Sequence, residues 1–119
     1  MRFHPEQHLR RQSDFRRVRD HGQRINCGLF TLFWLRRPDA TTPLRRVGVV
    51  ASIAAVGPAV QRNRAKRRLR ELFRRHQELV PAGSDLLLVA RAAVVKQPFP
   101  VLEAKFTTTC RQIASLSHA

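Results

Sequence analysis

Apolar positions change their period along the chain, and each change marks an element. Residues 1–11 are polar and basic and predict a loosely held arm. Phe15 and Val18 then stand three apart, the apolar edge of a short helix over 14–21. Ser13 can cap it, Asp14 sits near its positive end, and Gly22 stops it. INCGLFTLFWL (25–35) is rich in aromatic and β-favouring residues and predicts one long strand. Alternation puts Ile25, Leu29, Phe33 and Leu35 on one face and Phe30, Leu32 and Trp34 on the other, so both faces need cover. RRPDATTP (36–43) predicts a turn or loop. A second strand over 46–53 follows within hairpin range, which predicts an antiparallel neighbour.

From Gly57-Pro58 the period becomes helical. Ala65, Leu69, Leu72, Phe73, His76 and Val80 share one face, and Pro81-Ala82-Gly83 stops the run. DLLLVAR (85–91) is short and continuously apolar after its acid, the pattern of a strand buried on both faces. Pro98 and Pro100 introduce a last helix with Leu102, Phe106, Cys110, Ile113 and Leu116 as its apolar stripe. The order is αββαβα, with room for a third strand hidden in the long first strand and its loop.

Composition narrows the function. A chain of 119 residues makes one domain, and a hydrophobic fraction of 43% is enough for its core. The formal charge is +15, and 20 of the 23 basic residues are Arg. Self-repulsion on that scale weakens a compact fold unless a polyanion neutralises it, and Arg suits bidentate phosphate contact. A nucleic-acid partner is expected, and a small-molecule substrate is not. No apolar run approaches the ~20 residues that span a bilayer, and the N-terminus lacks the apolar stretch of a secretory signal. No membrane partner and a cytoplasmic location are expected. Cys27 and Cys110 have no His or Cys nearby at metal-ligand spacing, so free, buried thiols are expected.

RNRAKRRLRELFRR (62–75) concentrates the charge, with eight basic residues against one acid, Glu71. At 100° per residue, Asn63, Arg67, Arg70 and Arg74 form one stripe, and Arg64, Arg68 and Arg75 a second, interrupted by Glu71. A solvated helix face normally mixes signs, because like charges at i,i+4 repel. A membrane-surface helix would need an apolar face that this helix must already spend on the core. The stripes therefore predict phosphate-directed, salt-dependent binding. Phe15 or Phe33 could stack an unpaired base, although spacing alone favours a core role for both. There is no Gly-rich phosphate loop, no carboxylate cluster for Mg²⁺, and no Ser or Cys with a local base. His4, His8, His21, His76 and His118 are scattered, and no catalytic side chain is expected.

RNRAKRRLRELFR (62–74) resembles the RNR signature of the bacterial ribonuclease P protein subunit family. LRRQSDFRRVRDHG (9–22) is similar to that family's opening helix, RVGVVAS (46–52) to its central strand, and DLLLVAR (85–91) to the strand after the RNR helix. The resemblance implies an α+β fold, an α/β sandwich of αβββαβα order, like the second domain of a small-subunit ribosomal protein. It also implies a left-handed βαβ crossover through the RNR helix, against the general handedness rule. It implies a function in removing the 5′ leader of precursor tRNA. The ribonuclease P RNA subunit would be the catalyst and would hold the Mg²⁺, with none bound by the protein. Carried over position by position, Arg62, Asn63, Arg64, Lys66, Arg67, Arg68, Arg70 and Arg74 are expected to contact the RNA subunit. Phe15, Arg16, Arg17, Arg19, Phe33 and Ser52 are expected around a leader-binding cleft between the first helix and the sheet.

The chain departs from the family in three places. Ser52-Ile53-Ala54 stands where a Lys pair is usual, Arg19 where a cleft aromatic is often found, and Phe33 where Tyr is frequent. Two rivals explain the charge, a ribosomal-type RNA-binding protein with no part in cleavage and a nonspecific DNA-binding protein. Neither explains the RNR block with its three companions.

Overall fold

The computed structural model describes residues 4–37 and 43–117. A one-turn 3-10 segment (Pro5–Gln7) leads into α1 (Gln12–His21), β1 (Gln23–Asn26), β2 (Phe30–Arg36) and β3 (Arg46–Val50). The one-turn helix α2 (Ile53–Val56) precedes the long α3 (Ala59–His76). Then come β4 (Ser84–Ala90), the one-turn α4 (Ala93–Lys96) and α5 (Phe99–Ser117). Apart from the one-turn helices this is the αβββαβα order.

The four strands lie in the order β1-β2-β4-β3. β4 is central because its apolar run can be buried on both faces, and only a middle strand offers that. It pairs antiparallel with β2 and parallel with β3. The expected β2–β3 hairpin is therefore corrected: β4 separates them, and β3 reaches β4 through α3. That crossover is the unit to which the family resemblance assigns a left hand.

The long first strand is two strands. Cys27-Gly28-Leu29 turns the chain, with Gly28 at φ +83°, where a side chain would be strained. Gln23–Asn26 then folds back antiparallel on β2. This is the hidden third strand, and the turn breaks the alternation. Ile25 and Leu29 consequently pack with Phe30, Leu32 and Trp34 beneath α3 and α5, while Phe33 and Leu35 keep the opposite face under α1. Within the loop, Arg36 still belongs to β2, and residues 38–42 lie outside the described residues.

Two cores result. The larger joins Phe30, Leu32, Trp34, Leu86 and Leu88 of the sheet to Leu69, Leu72 and Phe73 of α3 and Leu102, Phe106 and Ile113 of α5. The smaller joins Val18 of α1 to Leu9, Phe33 and Leu87. Leu116 drops out of the predicted α5 stripe and is exposed. α1 starts at Gln12 rather than Asp14, and Ser13 therefore lies inside the helix instead of capping it. Gly22 is needed for proximity, since a Cβ there would collide with the carbonyls of Val18 and Trp34. Both cysteines are free thiols. Cys27 is half-buried against Thr109 (Sγ to Oγ1 3.1 Å), and burial pushes the Cys110 thiol up to about 12.

Residues 4–11 overturn the loose-arm expectation. His8 bridges Val47 at the outer edge of β3, the Leu9 amide donates to the Val47 carbonyl (2.9 Å), and Leu9 enters the smaller core.

Candidate nucleic-acid interface

α3 buries Ala65, Leu69, Leu72 and Phe73 and leaves its cations outside. Asn63, Lys66, Arg67 and Arg70 line one groove with the exposed Val60, a space of about 470 Å³. On the other flank Arg64, Arg67, Arg68, Glu71 and Arg75 line a second groove of about 370 Å³, floored by Phe99 from the start of α5. Arg67 faces both. These are the two stripes expected from the sequence, with Lys66 joining the first and Arg74 leaving it.

The predicted cations are not equivalent. Arg74 is turned to Glu71 (2.7 and 2.6 Å), whose carboxyl also accepts from Arg75 (2.8 Å). The hydrogen bond from Arg74 leads the effects that hold the Glu71 carboxyl down to about 2, so this acid stays ionised. Arg68 donates to the Val94 carbonyl (2.6 Å) and lies 5.9 Å from the centre of the Phe99 ring, so it partly ties α3 to α4 and α5. Burial, then the charge of Arg64, lowers its proton affinity. Arg75 pairs with Glu103 as well (3.6 Å) and lies 4.9 Å from the same ring. Arg62 is half-buried, and its Nε is buried without a hydrogen-bond partner. Asn63, Arg64, Lys66, Arg67 and Arg70 make up the remainder of the predicted set and point into the grooves.

A separate cleft of about 540 Å³ opens between α1 and the sheet, lined by Gln12, Phe15, Arg16, Arg19, Asp20 and Val50. Phe15 reaches across to β3, where its ring occupies the space a side chain on Gly48 would need. Three predicted cleft residues lie elsewhere. Phe33 is only 8% exposed and belongs to the smaller core, because β2 runs beneath α1 and not along the open edge. Ser52 caps α2, its Oγ accepting from the Ala55 amide (3.1 Å). Arg17 turns to Asp14 (3.2 Å) and Asp85 (3.3 Å).

Asp85 is the residue sequence reasoning passed over. Its side chain is fully buried and accepts from Arg37 (2.7 Å) and from Arg46 (2.8 Å to each oxygen) as well as Arg17. Burial alone would raise its carboxyl, but hydrogen bonds and charge from Arg46 and Arg37 bring it below the usual carboxylate range. The signal was present as a single acid opening an otherwise apolar strand in a chain rich in Arg. Phe99 was missed because a Phe after Pro98 looks like helix entry and not groove floor. Val50 and Gln12 carried no signal.

Comparison with known proteins bears on this surface. The family model described as Ribonuclease P matches residues 3–114. The ribonuclease P protein component of Chloroflexus aggregans is 37% identical over 113 residues, covering 92% of this chain and 78% of that one. That of Chloroflexus aurantiacus is 40% identical over 111 residues, covering 91% and 78%. In fold, the chain superposes on the RNase P proteins of Staphylococcus aureus (TM-score 0.74, 23% identity, 91% and 94% covered) and Thermotoga maritima (TM-score 0.74, 24% identity, 89% and 96% covered).

Proposed function

The chain belongs to the ribonuclease P protein family, and from that premise we infer how its surfaces divide the work of a tRNA-processing ribonuclease in which it is the protein subunit. Its partner is RNA. We assign the two grooves of α3 to the ribonuclease P RNA subunit, through Asn63, Arg64, Lys66, Arg67 and Arg70, with Arg62 and Arg68 beside them. The cleft under α1 takes the single-stranded 5′ leader of precursor tRNA, with Arg16 and Arg19 meeting phosphates and Phe15 offering a partly exposed ring. The observation that carries this reading is the distribution of acids. Asp85, Glu71 and Glu103 are each taken up by Arg, while the cations facing the first α3 groove have no acid in its lining.

Catalysis is assigned to the RNA subunit. Mg²⁺, the ion this reading requires, would supply charge neutralisation at the scissile phosphate, held by the RNA subunit. Among the described residues no three of His, Cys, Asp or Glu gather where a metal could be held. The protein's contribution is to bind, orient and screen charge. No helix among the described residues is long and apolar enough to cross a membrane. A ribosomal-type role without cleavage is not favoured, since the relatives are ribonuclease P components.

Reconstitution tests the assignment. Precursor tRNA is incubated with the RNA subunit at low Mg²⁺, with and without this chain. The expected result is faster leader removal with the chain and none by RNA-free protein. Mg²⁺-dependent cleavage by rigorously RNA-free protein would move catalysis to side chains.

A further inference from the structure

The two RNA surfaces assigned above lie on opposite faces of the sheet, α3 on one and α1 on the other. The β3 edge lies between them, and residues 7–9 run along it. The segment is fixed there. Gln7 is 3% exposed; its Nε2 donates to Gln77 Oε1 (2.8 Å) and to the Arg45 carbonyl (3.0 Å), and its Oε1 accepts from the His4 amide (2.9 Å). Gln77 immediately follows α3 and is 4% exposed, so a buried amide pair ties the segment to the end of the basic helix. Leu9 anchors the other side through the smaller core. Between these anchors His8 lies against Val47, and burial, then the charges of Arg70 and Arg10, hold its imidazole below the usual histidine range, so the ring is neutral and the charge of the segment comes from Arg10 and Arg11. Arg10 and Arg11 are exposed and lead directly into α1.

We propose that this segment is a built rim of the RNA-binding surface, in which Arg10, held at the β3 edge by the Gln7–Gln77 pair and by Leu9, binds a backbone phosphate of RNA. The rim joins the Asn63–Arg70 groove to the cleft beneath α1, making one positive belt around the β3 edge. Fixing the Arg10 backbone in advance matters because a loose arm would lose its conformational freedom on binding. Gln7 touches no RNA. It is a positioning residue, and the two-amide geometry is specific enough to set which way the following residues face. The inference rests on the assignment of α3 and α1 to RNA. The phosphate could belong to the RNA subunit or to the precursor, and the two are separable.

The experiment uses the full chain with the RNA subunit, and the reconstituted holoenzyme with precursor and mature tRNA, each across a salt series. Arg10→Gln changes an exposed side chain and leaves the fold intact. It should flatten the log–log salt dependence by roughly 0.7–0.9, the share of one phosphate. A change in RNA-subunit binding places the phosphate there; a change confined to precursor tRNA places it on the leader. Gln7→Leu keeps the volume and removes the amide pair, and should flatten the slope in the same arm. A Gln7→Leu protein that melts lower but keeps the wild-type slope would show the pair to be structural only. Unchanged slopes for Arg10→Gln in every arm would overturn the rim. Arg67→Glu, measured alongside, separates the cases: if it loses slope while Arg10→Gln does not, the rim fails and the α3 assignment stands. If the wild-type chain does not bind the RNA subunit at all, the assignment itself fails.

Discussion

The sheet carries a helix on each face, and the two sides use the same residue types for opposite ends. Under α1 three guanidiniums, from Arg17, Arg37 and Arg46, close on the buried carboxylate of Asp85, and Phe33 is packed away with Val18 and Leu87. Along α3 the guanidiniums of Arg64, Arg67 and Arg70 line open grooves, and the acid in their lining, Glu71, is held by Arg74 and Arg75. An Arg that has found a carboxylate inside the fold supports the fold; one facing a groove without a counter-charge is available to a phosphate. Charge count alone cannot separate the two. The strand that happens to carry an acid decides.

The sharpest test of the α1 side is Phe33→Ala. A large, nearly buried ring lost from a small core should cost about 3–5 kcal/mol of stability. Thermal melting should fall steeply, while precursor and mature tRNA lose affinity equally once the remaining folded fraction is taken into account. A selective loss for precursor tRNA with an unchanged melt would return Phe33 to the leader cleft.

Asp85→Asn comes next. Removing one member of a buried ion cluster leaves uncompensated charge, and about 3 kcal/mol is expected, since Arg17 and Arg46 can turn partly to water. The pH dependence has a definite sign. A carboxyl held below its unfolded value stabilises the fold above that value and loses the contribution as pH falls through its folded value. Wild type should therefore exceed Asp85→Asn by a constant margin above about pH 5, and the margin should close below about pH 4. Denaturant titrations at both ends check this, and a margin independent of pH would break the assigned role of the charge.

The α3 side and the α1 side differed just as much in how far the sequence disclosed them. The period of Ala65, Leu69, Leu72 and Phe73 defined both the buried face and, by subtraction, the exposed Arg stripes, because one helix fixes both through local geometry. The α1 cleft depends on strands distant in sequence. A turn at Gly28 split the long strand, and β4 intervened between β2 and β3, so neighbours in sequence were not neighbours in the sheet. The cleft residues expected from the family resemblance divide accordingly: Phe15, Arg16 and Arg19 line the cleft, while Phe33 is packed in the smaller core, Arg17 is held by Asp14 and Asp85, and Ser52 caps α2. Tertiary pairing decides such positions, and alternation within one strand carries no information about it. The docked N-terminal segment was hidden for a similar reason, since Gln7 and Gln77 are far apart in the chain and neither residue type announces burial.

Arg67→Glu with Arg70→Glu should act on binding and not on folding, since Arg67 and Arg70 are exposed on the helix. Each charge-assisted hydrogen bond to a phosphate contributes about 1.5–3 kcal/mol. The salt slope for the RNA subunit should fall by roughly 0.7–0.9 for every phosphate the helix no longer neutralises. The melting temperature should hold or rise slightly, as two members of a crowded cationic stripe are reversed. Normal assembly and an unchanged slope would place the RNA on some other surface and dissolve the contrast between the two helices.

The smallest effect is expected at Ile53, where the comparison can be sharpened by adding charge instead of removing it. Ile53 opens α2, the turn between β3 and α3, and is 68% exposed. Val60, 76% exposed in the first turn of α3, lines the first groove at the same end of the basic helix. Ile53→Lys removes an exposed apolar side chain from a position where it supports no core, so stability should stay within about 0.5 kcal/mol. If RNA runs along the first α3 groove toward this end, the new ammonium meets its backbone. The gain should be about 0.2–1 kcal/mol, the scale of a solvent-exposed ion pair, with a salt slope steeper by up to about 0.9. The added group would be a point charge and not a bidentate one, so the affinity gain should vanish at high salt. Binding measured at two salt concentrations decides it. An identical slope to wild type would mean that the RNA leaves α3 before reaching its N-terminal end, and the binding surface would then contract to Asn63, Lys66, Arg67 and Arg70.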